Sequence, residues 1–309
     1  MSGIKIIKIK PEDDGIRLNR WFLREYPSLT LSRLQKLLRT KQIKVDGKRA
    51  ETSTRLLSGQ ELRLPPLDEQ KAEKKEDILR KQDIEYILSM VIYKDDNIIV
   101  LNKPSGLAVQ GGTGTKQHID GLLEALRFEK SEKPRLVHRI DKDTSGILLL
   151  ARNRKFADVL TKAFREHTLQ KTYLALVRGC PDVYEGIINK PLEKIGERMQ
   201  VVSDGQKAVT EYKVLDNAGK KFALIEAKPL TGRTHQIRVH LESINAPILC
   251  DNKYFGKERI RFKEVVDKLY LHAYKIDLSL IYGKKMVVQA NIPQYFIEAC
   301  RFLGLEIKK

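Results

Sequence analysis

The stretch LVHRIDKDTSGILLLARN, residues 136–153, places one carboxylate, Asp141, two residues after Arg139 and three before a Thr144-Ser145-Gly146 turn. A dense apolar run, Ile147 to Leu150, follows at once. An aspartate ahead of a turn ordinarily just closes that turn. Here Leu136, Val137 and Ile140 lie before it and the apolar run after it, so the side chain is expected to be half buried. A buried carboxylate is costly unless it is paired and hydrogen-bonded. The chain should therefore supply a cation elsewhere. The best candidate is Arg238, in KPLTGRTHQIRVHLESINAPILCD, residues 228–251. Gly232 breaks the preceding strand, and Thr234 suits a helix N-cap. Ile237, Leu241 and Ile244 recur at helical spacing, which predicts a helix with one buried face and Arg238 in its first turns. A cation there is opposed by the helix dipole by ~0.3–1 kcal/mol. An acid nearby would compensate it; a plain surface arginine is the ordinary alternative. The third group is Tyr173 in QKTYLALVRG, residues 170–179, where two alternating faces predict a strand. It is either a core tyrosine or a flat ring presented to a base.

Other chemistries lack their residues. His235 and His240 are five apart, about 140° around the predicted helix, so they share no face and no metal site is expected. The loop GGTGT, residues 111–115, could let its backbone approach a phosphate, but no Gly-Lys-Ser/Thr follows it as in a nucleotide-binding loop. Cys180, Cys250 and Cys300 are odd in number and widely spaced, which suits reduced, mostly buried thiols in a cytoplasmic protein.

The elements that must position these groups are short. The chain has 309 residues and 41% hydrophobic content, enough for about two domains. No apolar run long enough to span a bilayer exists, and the N-terminus reads as neither signal peptide nor presequence. Residues 1–66 form one small unit, 67–86 a charged linker, and 87–309 a larger domain. Irregular alternation of strands and helices in that domain predicts α+β with a mixed sheet. The linker has 12 charged residues of both signs among residues 67–85 and no glycine.

The net charge is +18, a statement about partners more than about fold, with nucleic acid the leading candidate. Residues 1–66 hold 15 basic and 7 acidic residues, the densest basic region. Leu18, Phe22 and Leu23 predict one helix face. Ser32 can cap a second helix with Leu34, Leu37 and Leu38 inward. IKVDGKRA reads as a hairpin with an Asp-Gly turn, and GQELRLPP as a closing strand. Arg33, Lys36, Arg39, Lys41 and Lys44 then form a compact cationic surface suited to a phosphate backbone. On RLNRWF, SRLQKLLRTKQIKVDGKR and LLSGQELRLP, the unit resembles the S-four RNA-binding domain, with Asn19 where that family usually has Asp. The resemblance implies that Arg33, Lys36 and Lys41 contact RNA backbone.

HRIDKDTSGILLLA, KTYLALV and LTGRTHQIRVHL, in this order, resemble the RluA family of RNA pseudouridine synthases. With VIYKDDNIIVLNKPSGLAVQGGTGT and the amino-terminal unit, the chain is most similar to the RluC-type members across residues 12–300. The resemblance implies a catalytic domain with a mixed, mainly antiparallel sheet, no cofactor and no metal. It implies isomerisation of uridine to pseudouridine on a base flipped out of folded RNA. Asp141 would be the nucleophile or base; the residues leave open whether it bonds transiently or only removes a sugar proton. Arg238 would pair with it. Tyr173 would stack on the uracil and help remove the carbon 5 proton. Arg139 would fill the gap in the RNA or bind a phosphate, and Lys103, Lys171 and Arg233 would be further RNA contacts. Two departures bear on RNA specificity: Gln110 replaces a common His, and Leu271-His272-Ala273 lacks the His-Pro that often follows. Large-subunit ribosomal RNA is the expected partner, with the same chemistry on tRNA, or a non-catalytic ribosome-assembly factor, as alternatives. A monomer is expected, because the charge opposes self-association.

Overall fold

The computed structural model describes residues 4–26, 29–67, 79–111, 117–255 and 262–307. From residue 112 the Gly-rich loop lies outside them. The chain divides into two compact units, Met1–Ile78 and Leu79–Lys309.

In the first unit, strand β1 (Lys5–Lys8) is followed by helices α1 (Leu18–Glu25) and α2 (Leu31–Arg39), then by β2 (Lys44–Val45), β3 (Lys48–Arg49) and β4 (Glu61–Leu64). The antiparallel sheet has the order β1-β4-β2-β3. Asp46 and Gly47 between β2 and β3 both take positive φ, 47° and 71°, as a tight primed hairpin turn requires. Two sequence expectations are corrected. Trp21, not Leu23, joins Leu18 and Phe22 in the core, because positions three and four apart share a helix face while five apart do not; Leu23 is exposed. Thr30, not Ser32, caps α2: its hydroxyl accepts from the Arg33 N–H at 3.3 Å.

The second unit opens with α3 (Lys81–Ser89), which includes residues read from sequence as the end of the linker. Then come β5 (Val91–Lys94), β6 (Ile98–Lys103), α4 (Ile119–Leu122), β7 (Arg135–Leu136), β8 (Ser145–Ala151), α5 (Arg154–Arg165), β9 (Gln170–Arg178) and β10 (Glu185–Asn189). A hairpin, β11 (Leu192–Ile195) and β12 (Arg198–Val201), precedes the long pair β13 (Val209–Ala218) and β14 (Phe222–Pro229). The chain ends with α6 (Gln236–Glu242), β15 (Leu271–Asp277), α7 (Ser279–Tyr282), β16 (Val287–Gln289) and α8 (Gln294–Phe302). The main sheet runs β10-β13-β14-β9-β15-β8-β6-β5, with β16 on β15 and β7 on β8. Among the described strands of this sheet only β15 with β8 pairs parallel, so the sheet is mixed and mainly antiparallel.

The run that follows Asp141 is β8, buried at every position. Ile147, Leu149 and Ala151 join a cluster with Leu160 and Ala163 of α5. Leu148 and Leu150 face the other way, towards Ile87 and Leu122 of α3 and α4. A strand covered on both faces needs an unbroken apolar run, not alternation. That anchors the end of the strand beside Asp141.

Gly146 sits on the parallel seam, opposite Ala273, with φ +105°. A Cβ there would lie 2.2 Å from the Ala273 carbonyl oxygen. Gly146→Ala is expected to cost about 3 kcal/mol or more, from overpacking added to backbone strain. Urea denaturation would read this out, and a loss below about 1 kcal/mol would show that the seam yields.

Candidate active site

Asp141 sits on the loop before β8 with its side chain 30% exposed. The loop is pinned from its neighbours. The Gly106 N–H donates to the Lys142 carbonyl at 3.0 Å, and the Ser105 hydroxyl to the Asp143 carbonyl at 2.7 Å. Arg238 reaches it from α6, and Nη1 donates to Asp141 Oδ2 at 3.2 Å. The expected pair is therefore present, but it is not the arginine's main bond. Nε and Nη2 donate to Oδ2 and Oδ1 of Asp251 at 2.7 and 2.8 Å, on a carboxylate with no exposed surface. Asp251 also accepts from the backbone N–H groups of Lys253 and Tyr254. Arg238 further packs over the Tyr254 ring, 5.0 Å from its centroid.

The start of α6 departs from the sequence reading. Thr234 is not the cap. His235 holds the position just before the helix with φ 52° and ψ 19°, and no side-chain cap. Gln236, the first helical residue, instead holds the turn that precedes it: its Oε1 accepts from the Arg233 N–H and the Thr231 hydroxyl, and its Nε2 donates to the Val209 carbonyl and the Thr210 hydroxyl. The turn is thereby fastened to β13. His240 is fully buried, with one ring nitrogen on the Thr210 hydroxyl and the other on the Lys190 carbonyl, a structural role.

A cleft of about 480 Å³ joins these groups. Asp141, Arg238, Tyr173, Ile237 and Leu271 are among the residues that line it. Tyr173 lies on β9, opposite Ala227 and Ala273, whose small side chains leave its ring free to face the cleft. Burial, and then the Asp141 charge, push its phenol pKa well above the ordinary tyrosine value. At neutral pH the hydroxyl is protonated and the ring is part of the cleft wall. Lys171, Arg139, Arg165 and Arg233 also line the cleft. Lys171 is half buried, its pKa lowered by desolvation, and it meets no acid among the described residues. Arg139 is exposed, while Arg233 spends Nε on the Lys207 carbonyl.

Lys103 is not an RNA contact. It is wholly buried, and its ammonium donates to the carbonyls of Pro104, Leu107 and Lys142 at 3.0, 2.8 and 2.8 Å. All three donors are used, so none remains for a phosphate. It ties the 104–107 turn to the residue after Asp141. In the first unit, Arg33, Lys36 and Lys41 are exposed and form no ion pair among the described residues. Asp251, His235 and Tyr254 are the site residues that the sequence reading did not select.

With this geometry in view, comparison with known families matches residues 97–243 to the RNA pseudouridylate synthase family. "Ribosomal large subunit pseudouridine synthase C" of Rickettsia bellii is 37% identical over 295 residues, covering 91% of this chain and 95% of the relative. The Escherichia coli protein of the same name is 36% identical over 285 residues, covering 88% and 87%. The solved structure of human RNA pseudouridylate synthase domain containing 4 superposes with a TM-score of 0.62 at 26% identity, covering 73% of this chain and 97% of that one.

Two histidines beside the site give a pH prediction. His138 accepts from the Leu149 N–H at 2.8 Å; burial, and then the Lys171 charge, pull its pKa down to about 3. His272 lies 2.9 Å from the Ser145 hydroxyl, and burial pulls it down to about 4. Both folded values lie below the unfolded value near 6.5, so the unfolded chain binds more protons in between. Stability is expected to fall on acidification from about pH 6.5 to 4, each histidine adding a slope of up to about 1.4 kcal/mol per pH unit. Urea denaturation of wild type and His138→Gln between pH 7 and 4.5 tests this; equal slopes would mean that His138 is not held neutral.

Proposed function

The chain belongs to the RNA pseudouridylate synthase family, and from that premise we propose that it converts uridines of large-subunit ribosomal RNA to pseudouridine, with Asp141 as the acting carboxylate. The observation that carries this reading is Asp141 itself: half exposed at the mouth of a cleft, held by a buried arginine and faced by an aromatic wall. The reaction moves the base without changing its formula. The bond from ribose carbon 1′ to uracil N1 breaks, carbon 1′ bonds to carbon 5, carbon 5 loses a proton and N1 gains one. The step needs a group that can attack or deprotonate the sugar and a surface that keeps the freed base in place while it turns.

Asp141 suits the first task because the Arg238 guanidinium holds one of its oxygens at the cleft. Tyr173, with Ile237 and Leu271, suits the second by offering a flat and otherwise apolar wall. Arg139, Lys171 and Arg233 place positive charge around the same cleft, where a flipped nucleotide brings its phosphates. Ribosomal RNA is favoured over tRNA by the names of the relatives and by the basic first unit. We assign that unit an S-four-like role, with Arg33, Lys36 and Lys41 on the RNA backbone, in a cytoplasmic monomer.

Asp141→Asn is expected to lower pseudouridine formation by about 10²–10⁴-fold while RNA affinity stays within about twofold. Pseudouridine mapping in cells lacking the protein, rescued by wild type or by this variant, identifies the substrate. Loss of marks from tRNA alone would replace the rRNA reading, and rescue of rRNA marks by the variant would remove Asp141 from the chemistry. In the first unit, the pair Arg33→Ala and Lys36→Ala is expected to weaken RNA binding and flatten its log–log salt slope by about 1.4 to 1.8. An unchanged slope would place the RNA elsewhere.

A further inference from the structure

Both contacts that Asp141 makes with the cations and imidazole around it fall on one oxygen. Arg238 Nη1 donates to Oδ2 at 3.2 Å, and His235 Nε2 lies 3.8 Å from the same atom. Oδ1 has no hydrogen bond among the described residues. The two oxygens are therefore not equivalent: one is held and the other has no partner among the described residues, on a residue that lines the cleft.

His235 is itself held in an unusual way. Its backbone takes a left-handed conformation, φ 52°, which side chains other than glycine rarely adopt. Its ring is edge-on to Tyr254, and Nδ1 lies 2.8 Å from the Tyr254 hydroxyl. That hydroxyl oxygen already accepts from the Met199 backbone N–H at 3.0 Å, and Tyr254 is 2% exposed. A phenol carries one proton. No other acceptor lies in reach among the described residues, and a buried hydroxyl proton without a partner is costly. The proton therefore goes to Nδ1, which makes Nδ1 the acceptor and puts the ring proton on Nε2, facing Asp141. The guanidiniums of Arg238 and Arg198 lie 5.0 and 5.2 Å from the centroid of the Tyr254 ring and help to hold the ring, and with it the hydroxyl oxygen, in place.

We propose that His235 is a positioning residue: fixed by Tyr254 as its neutral Nε2–H form, it shares Asp141 Oδ2 with Arg238 and leaves Oδ1 for the ribose. The gap of 3.8 Å is the one that a nucleotide docking on Oδ1 closes. No proton is transferred; His235 donates a hydrogen bond throughout and keeps its proton. Burial lowers its pKa; the charge of Asp141 opposes that shift, those of Arg238 and Lys253 add to it, and that of Asp251 opposes it, with the net direction towards the neutral form.

The inference rests on the pseudouridine reading, and two measurements separate their failures. The first is the nitrogen-15 spectrum of the full chain labelled at histidine, with His235 identified by its absence in His235→Gln. A protonated Nε2 and an unprotonated Nδ1 at pH 7 support the proposal; the reverse pattern, or an imidazolium, overturns it without reference to any substrate. The second is tritium release from transcribed large-subunit rRNA labelled at uracil carbon 5. His235→Ala is expected to lower kcat about tenfold or more, with KM and melting temperature near wild type, and His235→Gln to recover to within about threefold of wild type. Wild-type kcat in His235→Ala overturns the proposal. A wild-type enzyme that releases no tritium from this RNA would instead count against the substrate reading, and the spectrum still decides the form of His235.

Discussion

The site depends on one guanidinium held between two carboxylates. Arg238 is 6% exposed and stands in the first turn of a helix, where the dipole disfavours a cation. Asp251 answers that cost with two charge-assisted bonds and no exposed surface, leaving Nη1 for Asp141. Breaking a buried pair by removing one partner costs about 3–5 kcal/mol, because the other charge is left unpaired in the interior. The division of labour follows from exposure. Asp251 keeps Arg238 charged and oriented, and Asp141, half exposed, receives the remaining donor. A single carboxylate asked to do both would be too buried to meet a nucleotide or too solvated to fix the arginine.

The same logic governs the loop that carries Asp141. A turn between a short edge strand and a buried one has few backbone partners of its own. Lys103 supplies three bonds to carbonyls on two turns, and Ser105 adds a fourth. Behind the loop, β8 is buried on both faces and meets β15 along a parallel seam that only Gly146 lets close. Burial pulls the Lys103 pKa down to about 7, while the charges of Asp143 and Asp141 oppose the shift. Three carbonyl dipoles around the ammonium add to that opposition.

Much of this was legible in the sequence where local pattern decides the outcome. The apolar flanks of Asp141 announced a half-buried carboxylate, and the 3.6-residue spacing after Gly232 announced the helix that brings Arg238. What was not legible depends on where distant atoms meet. Asp251 ends the same quoted stretch, yet it lies thirteen residues from Arg238 beyond the helix end, where periodicity says nothing. Lys103 has the composition of a phosphate contact, and only the curl of Pro104–Leu107 around its ammonium shows otherwise. Thr234 obeys the N-cap preference, but the chain turns left-handed at His235, the helix starts without a side-chain cap, and Gln236 instead braces the turn before it. His235 and His240 were weighed together as metal ligands, and each turned out to have its own partners.

The distribution of charge separates binding from chemistry. In the first unit the cations at positions 33, 36 and 41 are exposed and meet no acid among the described residues, which leaves them hydrated and open to a polyanion. In the second unit the cation nearest the reaction is buried, paired twice and stacked on a ring. Exposed charges of this kind are screened by salt, while a buried, doubly paired one is shielded from it. A net charge of +18 therefore bears on how the chain meets a polyanion, while under the proposed function what happens to a uridine in the cleft would rest on one arginine and the acids that hold it.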